Sequence, residues 1–268
     1  MKISILYEDK NLMVLNKPAG LAVHANAKNP DDETVASFIS SYDKSIDKVG
    51  EQMTVEYEGK TVKIARPGIV HRLDKETSGV LIVAKNQKTF LSLKEQFQNH
   101  TIKKVYRAFV YGYVSDPKAS LATGKRGIID VPLGRSPRDI RMWTAGRGAK
   151  PPFRDAITEY VVLERFTDIK RGKPTVLHQF SYVEAYPKTG RTHQIRVHMR
   201  YINHPVVSDP LYSGAKEKAL GMKRLALHAY SLTFRLSNGE LKTVEAPLPA
   251  DFKKVIKDYI PKSNSSSK

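Results

Sequence analysis

Two short stretches of this chain carry residue types that could do chemistry. The first is His71-Arg72-Leu73-Asp74-Lys75-Glu76-Thr77-Ser78-Gly79, which runs into the apolar segment 80–84. Asp74 sits among cations at a turn just before a strand. Positive neighbours favour the ionised carboxylate, the form that a nucleophile or a general base needs. Thr77, Ser78 and Gly79 add small polar groups and a permissive backbone where a ligand can approach closely. Taken alone, this stretch reads equally well as an ordinary salt-bridged turn. The second stretch is Lys188-Thr189-Gly190-Arg191-Thr192-His193-Gln194-Ile195-Arg196-Val197-His198-Met199-Arg200. Lys188, Arg191, His193, Arg196 and Arg200 crowd a loop and the start of a helix, where backbone N–H groups and cations together make an anion site. His193, Arg196 and Arg200 fall at i, i+3 and i+7, which puts them on one side of that helix. A carboxylate needing one fixed cation, or a phosphate needing several, can use such a segment; a solvated basic face is the plain alternative.

Composition narrows the partners. The 268 residues carry 45 Lys and Arg against 27 Asp and Glu, a formal charge of +18, and that field attracts polyanions, of which nucleic acid is the commonest large one. The basic residues are spread along the chain, which suits a folded surface gripping phosphates better than a disordered arm. The absence of cysteine excludes a disulfide scaffold, a thiolate zinc site, an iron–sulfur cluster and a cysteine nucleophile, and it fits a reducing compartment. There is no His-Glu-x-x-His, no Gly-x-Ser-x-Gly and no phosphate-binding Gly-Lys-Ser/Thr loop. Gly146-Arg147-Gly148 is only a fragment of a glycine-rich loop without a βαβ context, so a nucleotide cofactor is rejected. No apolar run reaches the roughly 18–20 residues that a membrane span needs. The N-terminus alternates from Met1 to Tyr7 and reads as a strand start rather than a signal peptide. The expectation is a soluble, cytoplasmic, monomeric protein whose large partner is a polyanion, nucleic acid first.

These stretches need a scaffold, and the hydrophobic pattern supplies one. Residues 2–7 and 12–15 flank the polar tetrad Glu8-Asp9-Lys10-Asn11 as a hairpin, and 54–57 pairs with 60–64 around Glu58-Gly59. Val35, Phe38, Ile39 and Tyr42 recur with helical spacing behind Asp31, Asp32 and Glu33, which predicts a helix with an acidic first turn. A second helix follows Asn86, with Phe90, Leu93 and Phe97 on one face. Residues 80–84 read as a buried strand, 104–114 as an alternating one, and 157–166 and 176–186 as long ones. The stretch 115–153, rich in Gly, Pro, Arg and Lys, is expected to form surface loops and short strands. A third helix opens near Thr192. Residues 230–236 and 241–246 flank an Asn238-Gly239 turn, and Phe252, Val255, Ile256 and Tyr259 mark a last helix before a polar tail at 261–268. Hairpins dominate and no βαβ alternation appears, so the class is α+β with a largely antiparallel sheet and a few flanking helices. Nothing marks a linker, and one catalytic domain over residues 1–260 is expected.

Taken in order, these blocks resemble the RluA family of pseudouridine synthases. The resemblance rests on His71-Arg72-Leu73-Asp74 with Thr77-Ser78-Gly79 and on Gly190-Arg191-Thr192-His193-Gln194-Ile195-Arg196. Asn16-Lys17-Pro18-Ala19-Gly20 with Val23-His24, Lys104-Val105-Tyr106-Arg107-Ala108, Asp209-Pro210-Leu211-Tyr212 and Leu225-Ala226-Leu227-His228-Ala229 support it. Many relatives carry a small RNA-binding domain before the opening segment; this chain starts at that segment, so RNA choice is expected to fall to the catalytic domain. The resemblance implies the pseudouridine synthase fold with a central active-site cleft. It also implies isomerisation of uridine to pseudouridine in a ribosomal or transfer RNA stem-loop, with no metal or organic cofactor. It makes Asp74 the catalytic carboxylate, whether it attacks C1′ or C6 or abstracts a sugar proton. Tyr106 would stack on the base, Arg191 would pair with Asp74, Arg72 would fill the space left by the flipped nucleotide, and Ile195 would wall the pocket. His71, Thr77, Lys188, His193, Arg196 and Arg200 complete the expected RNA-contacting set. Two other readings compete. A non-catalytic RNA-binding protein leaves an Asp set among cations unused, and a metal-dependent nuclease wants clustered carboxylates that the sequence lacks.

Overall fold

The computed structural model describes residues 2–51, 53–115, 126–146, 148–169, 177–216 and 218–260. The chain divides into two compact units: residues Met1–Val105 with Ala229–Pro247, and Tyr106–His228 with Leu248–Lys268. Of the three changes of unit, those at 105/106 and 228/229 fall inside strands, which is why no linker composition marks them, and the third lies in the short connection before the last helix. Most of the expected surface stretch at 115–153 is described; its residues 116–125, like the tail at 261–268, lie outside the described residues.

In the first unit, β1 (Ser4–Glu8) and β2 (Leu12–Lys17) form the expected hairpin. Its turn is closed by Asp9, whose Oδ1 accepts from the backbone N–H groups of Asn11 and Leu12 at 2.7 and 2.9 Å. β2 pairs antiparallel with β5 (Ser78–Ala84), in which every residue is buried. β3 (Met53–Tyr57) and β4 (Lys60–Ile64) make a separate two-stranded sheet. Helix α1 spans Val35–Tyr42, as its periodicity requires, but the acids precede it. Thr34 is the N-cap and forms a capping box with Ser37. Helix α2 (Gln87–Gln98) starts at the Asn86 cap and buries Phe90 and Leu93. Side chains of that size contribute roughly 1.5–3 kcal/mol each when fully buried.

The second unit is built on β6 (Lys103–Tyr111), which begins in the first, β7 (Gly127–Asp130), β11 (Ile157–Ile169) and β12 (Leu177–Pro187), in the order β6-β12-β11-β7, all antiparallel. Phe109 anchors the core, with ring centroids 4.8 Å from Tyr182 and 4.9 Å from Phe252, the latter on the C-terminal helix α4 (Ala250–Tyr259). A three-stranded antiparallel sheet, in the order β10 (Lys150–Arg154), β8 (Leu133–Arg135), β9 (Trp143–Ala145), packs against helix α3 (Gln194–Tyr201) through Trp143, Val197 and Tyr212. The last hairpin pairs β13 (Leu227–Arg235) with β14 (Leu241–Glu245). Among the described residues, four α-helices and mostly antiparallel strands make this an α+β fold. Among the described residues no helix is long and apolar enough to cross a membrane.

Candidate active site

Asp74 stands at the start of a turn closed by Thr77 N–H on the Asp74 carbonyl at 3.1 Å, immediately before β5. What holds the turn is a lysine. Lys17, at the end of β2 and fully buried, donates from Nζ to the carbonyls of Pro18 (3.0 Å), Leu21 (2.7 Å) and Lys75 (3.0 Å). Gly20 N–H adds a 2.7 Å bond to the same Lys75 carbonyl. A buried ammonium is tolerable only when its protons are used, and here it straps residues 17–21 to the residue after Asp74. Behind the turn, Gly79 has φ +116°, and a Cβ there would lie 2.1 Å from the Ala229 carbonyl oxygen. Only glycine lets β5 run this close to β13.

Around this turn, Arg72 is exposed, with Nη1 3.4 Å from His24 Nε2. Burial, then the charges of Arg72 and Arg66, push His24 down to about 4, so its imidazole is neutral near pH 7. Nε2 faces a cation and must accept, which leaves the proton on Nδ1. That atom is buried without a hydrogen-bond partner among the described residues, and so is Thr77 Oγ1. His71 departs from expectation. Its Nε2 accepts from Ile82 N–H at 3.0 Å, and its ring stacks on Phe97 at 4.6 Å. His71 therefore braces β5 against α2.

In the second unit, Gln194 shapes the loop before α3. Its Oε1 accepts from Arg191 N–H (3.0 Å) and the Thr189 hydroxyl (2.7 Å), while Nε2 donates to the Ile157 carbonyl and to Thr158 Oγ1, both at 3.0 Å. Thr158 Oγ1 in turn meets His198 Nδ1 at 2.8 Å, and His198 Nε2 meets the Val131 carbonyl at 3.0 Å. That last contact fixes the tautomer: Nε2 carries the proton and Nδ1 accepts from Thr158. Arg191 is held at both ends, since its Nε also donates to the Asp155 carbonyl at 2.9 Å. His193 takes the left-handed conformation at φ 57° and sets Nδ1 2.8 Å from the Tyr212 hydroxyl. Ile195 is buried in the second unit's core, against which Tyr106 packs, partly buried, from β6.

Two more expected RNA contacts are engaged within the protein. Arg196 is 1% exposed and forms a bidentate pair with Asp209 at 2.7 and 2.8 Å, so it is a structural cation and not a phosphate ligand. Its spacing from His193 and Arg200 puts them on one side of the helix only roughly; at Arg196 that side is interior, while Arg200 lies exposed in the last turn. Lys188 pairs with Glu159 at 3.0 Å, beside Arg126 at 2.7 Å; despite partial burial, these two cations hold the Glu159 carboxyl below the usual range. Sequence reasoning passed over Lys17 and Gln194 as positioning residues and Asp209 as the partner of Arg196. No local pattern distinguishes a buried lysine at a strand end from a solvated one. Among the described residues no group of three or more His, Asp or Glu could hold a metal.

Comparison with known proteins gives a consistent result. Residues 11–201 match the family model described as RNA pseudouridylate synthase. An uncharacterized RNA pseudouridine synthase of Bacillus subtilis is 37% identical over 259 residues, covering 96% of this chain and 73% of that relative. A ribosomal large subunit pseudouridine synthase D of Neisseria meningitidis serogroup B is 38% identical over 263 residues, covering 94% of this chain and 59% of that relative, so the chain spans under two thirds of the latter's length. Among solved structures, human RNA pseudouridylate synthase domain containing 1 aligns with a TM-score of 0.67 at 24% identity, covering 92% of this chain and 84% of that one. Human RNA pseudouridylate synthase domain containing 4 aligns with a TM-score of 0.63 at 25% identity, covering 95% and 92%. These two share the fold.

Proposed function

The chain belongs to the RluA-type family of RNA pseudouridylate synthases, isomerases that act on RNA, and from that premise we propose that it converts particular uridines of ribosomal or transfer RNA stem-loops to pseudouridine with Asp74 as its catalytic carboxylate. The reaction breaks the C1′–N1 bond, turns the base and forms C1′–C5. The proton leaving C5 is balanced by one gained at N1, so substrate and product are isomers and no oxidant or reductant is consumed. Whether the carboxylate adds to C1′ or C6 or takes a sugar proton, it acts as an anion. In this reading Arg191 supplies the counter-charge that a carboxylate beside an everted base requires.

A uracil stacked in RNA hides its glycosidic bond, so the nucleotide must leave the helix at a cost of a few kcal/mol. Stacking on Tyr106 returns about 1–3 kcal/mol. Arg72 fills the gap, its planar fork able to bond to bases or phosphate where an ammonium would not match. The ribosomal choice draws on the meningococcal relative's name, the transfer-RNA alternative on the cost of eversion, which is low in loops.

The observation that carries the reading is the pair of buried, unpartnered polar atoms beside the Asp74 turn, His24 Nδ1 and Thr77 Oγ1, within the family match. An unsatisfied buried polar group costs about 1–3 kcal/mol, and a ligand with carbonyl or hydroxyl groups would relieve both. The test is pseudouridine mapping of total RNA from cells carrying the chain, lacking it, or carrying Asp74→Asn. The sites present with the wild type are expected to vanish in both other strains, while purified Asp74→Asn keeps its RNA affinity within about tenfold. Sites retained with Asp74→Asn would remove that carboxylate from the reaction.

A further inference from the structure

The small β10-β8-β9 sheet carries an arrangement that the reaction at Asp74 does not use. Arg135 on β8 stands directly opposite Lys150 on β10 and directly opposite Trp143 on β9. Directly opposed residues project from the same face of a sheet, and like charges so placed destabilise it. Lys150, Arg135 and Trp143 therefore form one row across three strands, two adjacent cations followed by an indole. The Arg135 guanidinium lies 4.5 Å from the Trp143 ring centroid, and the Arg154 guanidinium lies 5.5 Å from the same centroid. All three cations are exposed, whereas Trp143 is 7% exposed.

Several other cations of this unit are neutralised, whereas these three have no ion pair among the described residues. Arg141 is held by Asp139 through a bidentate pair, and Arg126 and Lys188 share Glu159. No ion pair to Lys150, Arg135 or Arg154 forms among the described residues; apart from the indole, the Arg135 side chain bonds only the Ile140 carbonyl, at 3.0 Å. The platform beneath them is rigid. Trp143 packs with Tyr212 and with Val197 of α3, and its backbone N–H donates to the Tyr212 hydroxyl at 2.9 Å. Two guanidinium groups stacked on a fixed indole, with the exposed Lys150 directly opposite one of them, amount to a preorganised anion site, since stacked guanidinium groups lose little freedom when they bond.

We propose that Arg135 and Arg154, stacked on Trp143, together with Lys150 opposite Arg135, form a binding site for backbone phosphates of the RNA substrate. This rests on the reading of the chain as an RNA-modifying enzyme and adds a second place where the RNA is gripped. The site reads charge and carries no base information.

Trp143 is the only tryptophan of the chain, so its emission reports this site directly. The full chain is titrated with a fluorescein-labelled uridine-containing RNA stem-loop at several salt concentrations, following Trp143 emission and, independently, RNA anisotropy. The wild type is expected to show a saturable emission change that tracks binding. Arg154→Gln and Lys150→Gln should each weaken binding about tenfold near 0.1 M salt and reduce the slope of log affinity against log salt by roughly one. Arg141→Gln should change the slope by much less. Lys150→Gln leaves both arginines on the indole, so it preserves the test if Arg154→Gln disturbs the strand, and circular dichroism identifies that case. RNA that saturates by anisotropy without moving Trp143 emission overturns the proposal, as does an unchanged slope in a folded variant. Inorganic phosphate alone reproducing the full emission change would make this a small-anion site and overturn the assignment to RNA. Pseudouridine formation is read separately. A wild type without it, but with the expected slopes, overturns the enzymatic reading and leaves this site standing; RNA that does not bind at all overturns both.

Discussion

His71 and Asp74 lie three positions apart in one motif, yet their side chains serve different ends. The imidazole of His71 accepts a backbone hydrogen bond from Ile82 and stacks on Phe97, and burial followed by the charge of Lys104 pushes it down to about 3. A proton on Nε2 would forfeit that bond. An unfolded chain takes up the proton near pH 6.5, whereas the folded one resists it until about pH 3, so the unfolded state binds more protons throughout that window. The contribution is intact above pH 6.5 and is lost as the pH falls toward 3, at a rate on the order of 1 kcal/mol per pH unit. Urea denaturation at pH 7.0 and 5.0 should show this acid loss in the wild type, and a His71→Gln variant should show a smaller loss between the same two points. Equal losses would mean that His71 titrates normally. The sequence marks His71 as a member of an active-site block, but it has no means of showing which side of β5 the imidazole addresses. Arg196 teaches the same lesson. Its helical spacing is plain, but the partner that takes it inside, Asp209, lies thirteen residues further on.

Elements were legible where their rules are local. The span of α1 follows from its apolar spacing, α2 from the Asn86 cap and three apolar residues, and the hairpins from their polar turns. The short strands β8 to β10 were not separable within a run of Gly, Pro and basic residues, because they are set by packing on α3 and not by their own alternation; all of β10 is exposed. The strap from β2 to the Asp74 turn was equally hidden, since it depends on an ammonium reaching three backbone carbonyls, one of them 58 residues away. Lys17→Met keeps much of the volume and removes the donors, which leaves the Leu21 carbonyl without its lysine partner and the Pro18 and Lys75 carbonyls with fewer bonds. At about 1–3 kcal/mol for a buried group left unsatisfied, the variant should lose about 1–3 kcal/mol of stability by denaturant titration. Its pseudouridine formation should fall further than the folded fraction does, because the turn carrying Asp74 loosens first. Activity that simply follows the folded fraction would make Lys17 a stabilising residue with no part in positioning the carboxylate.

Across the whole molecule the surplus of cations concerns what the chain binds and is silent on how it folds. Ion pairs inside the units, such as Arg196–Asp209 and Arg224–Asp251, serve packing and consume equal numbers of each sign. They leave the formal +18 untouched. Released counterions make RNA affinity fall with salt in proportion to the phosphates neutralised, with a slope near −0.7 to −0.9 for each. A grip on about five phosphates gives a slope near −4, so raising salt from 50 to 200 mM should weaken binding by a factor on the order of 10². Such a slope needs more than Arg135, Lys150 and Arg154, and removing one of those should leave a steep dependence reduced by about one contact. Turnover measured at saturating RNA should change far less over the same range, because the bonds broken and made at the uridine involve no phosphate. An affinity that barely responds to salt would mean that the charge faces something other than an RNA backbone. A turnover that collapses along with affinity would mean that salt acts on the chemical step as well as on binding.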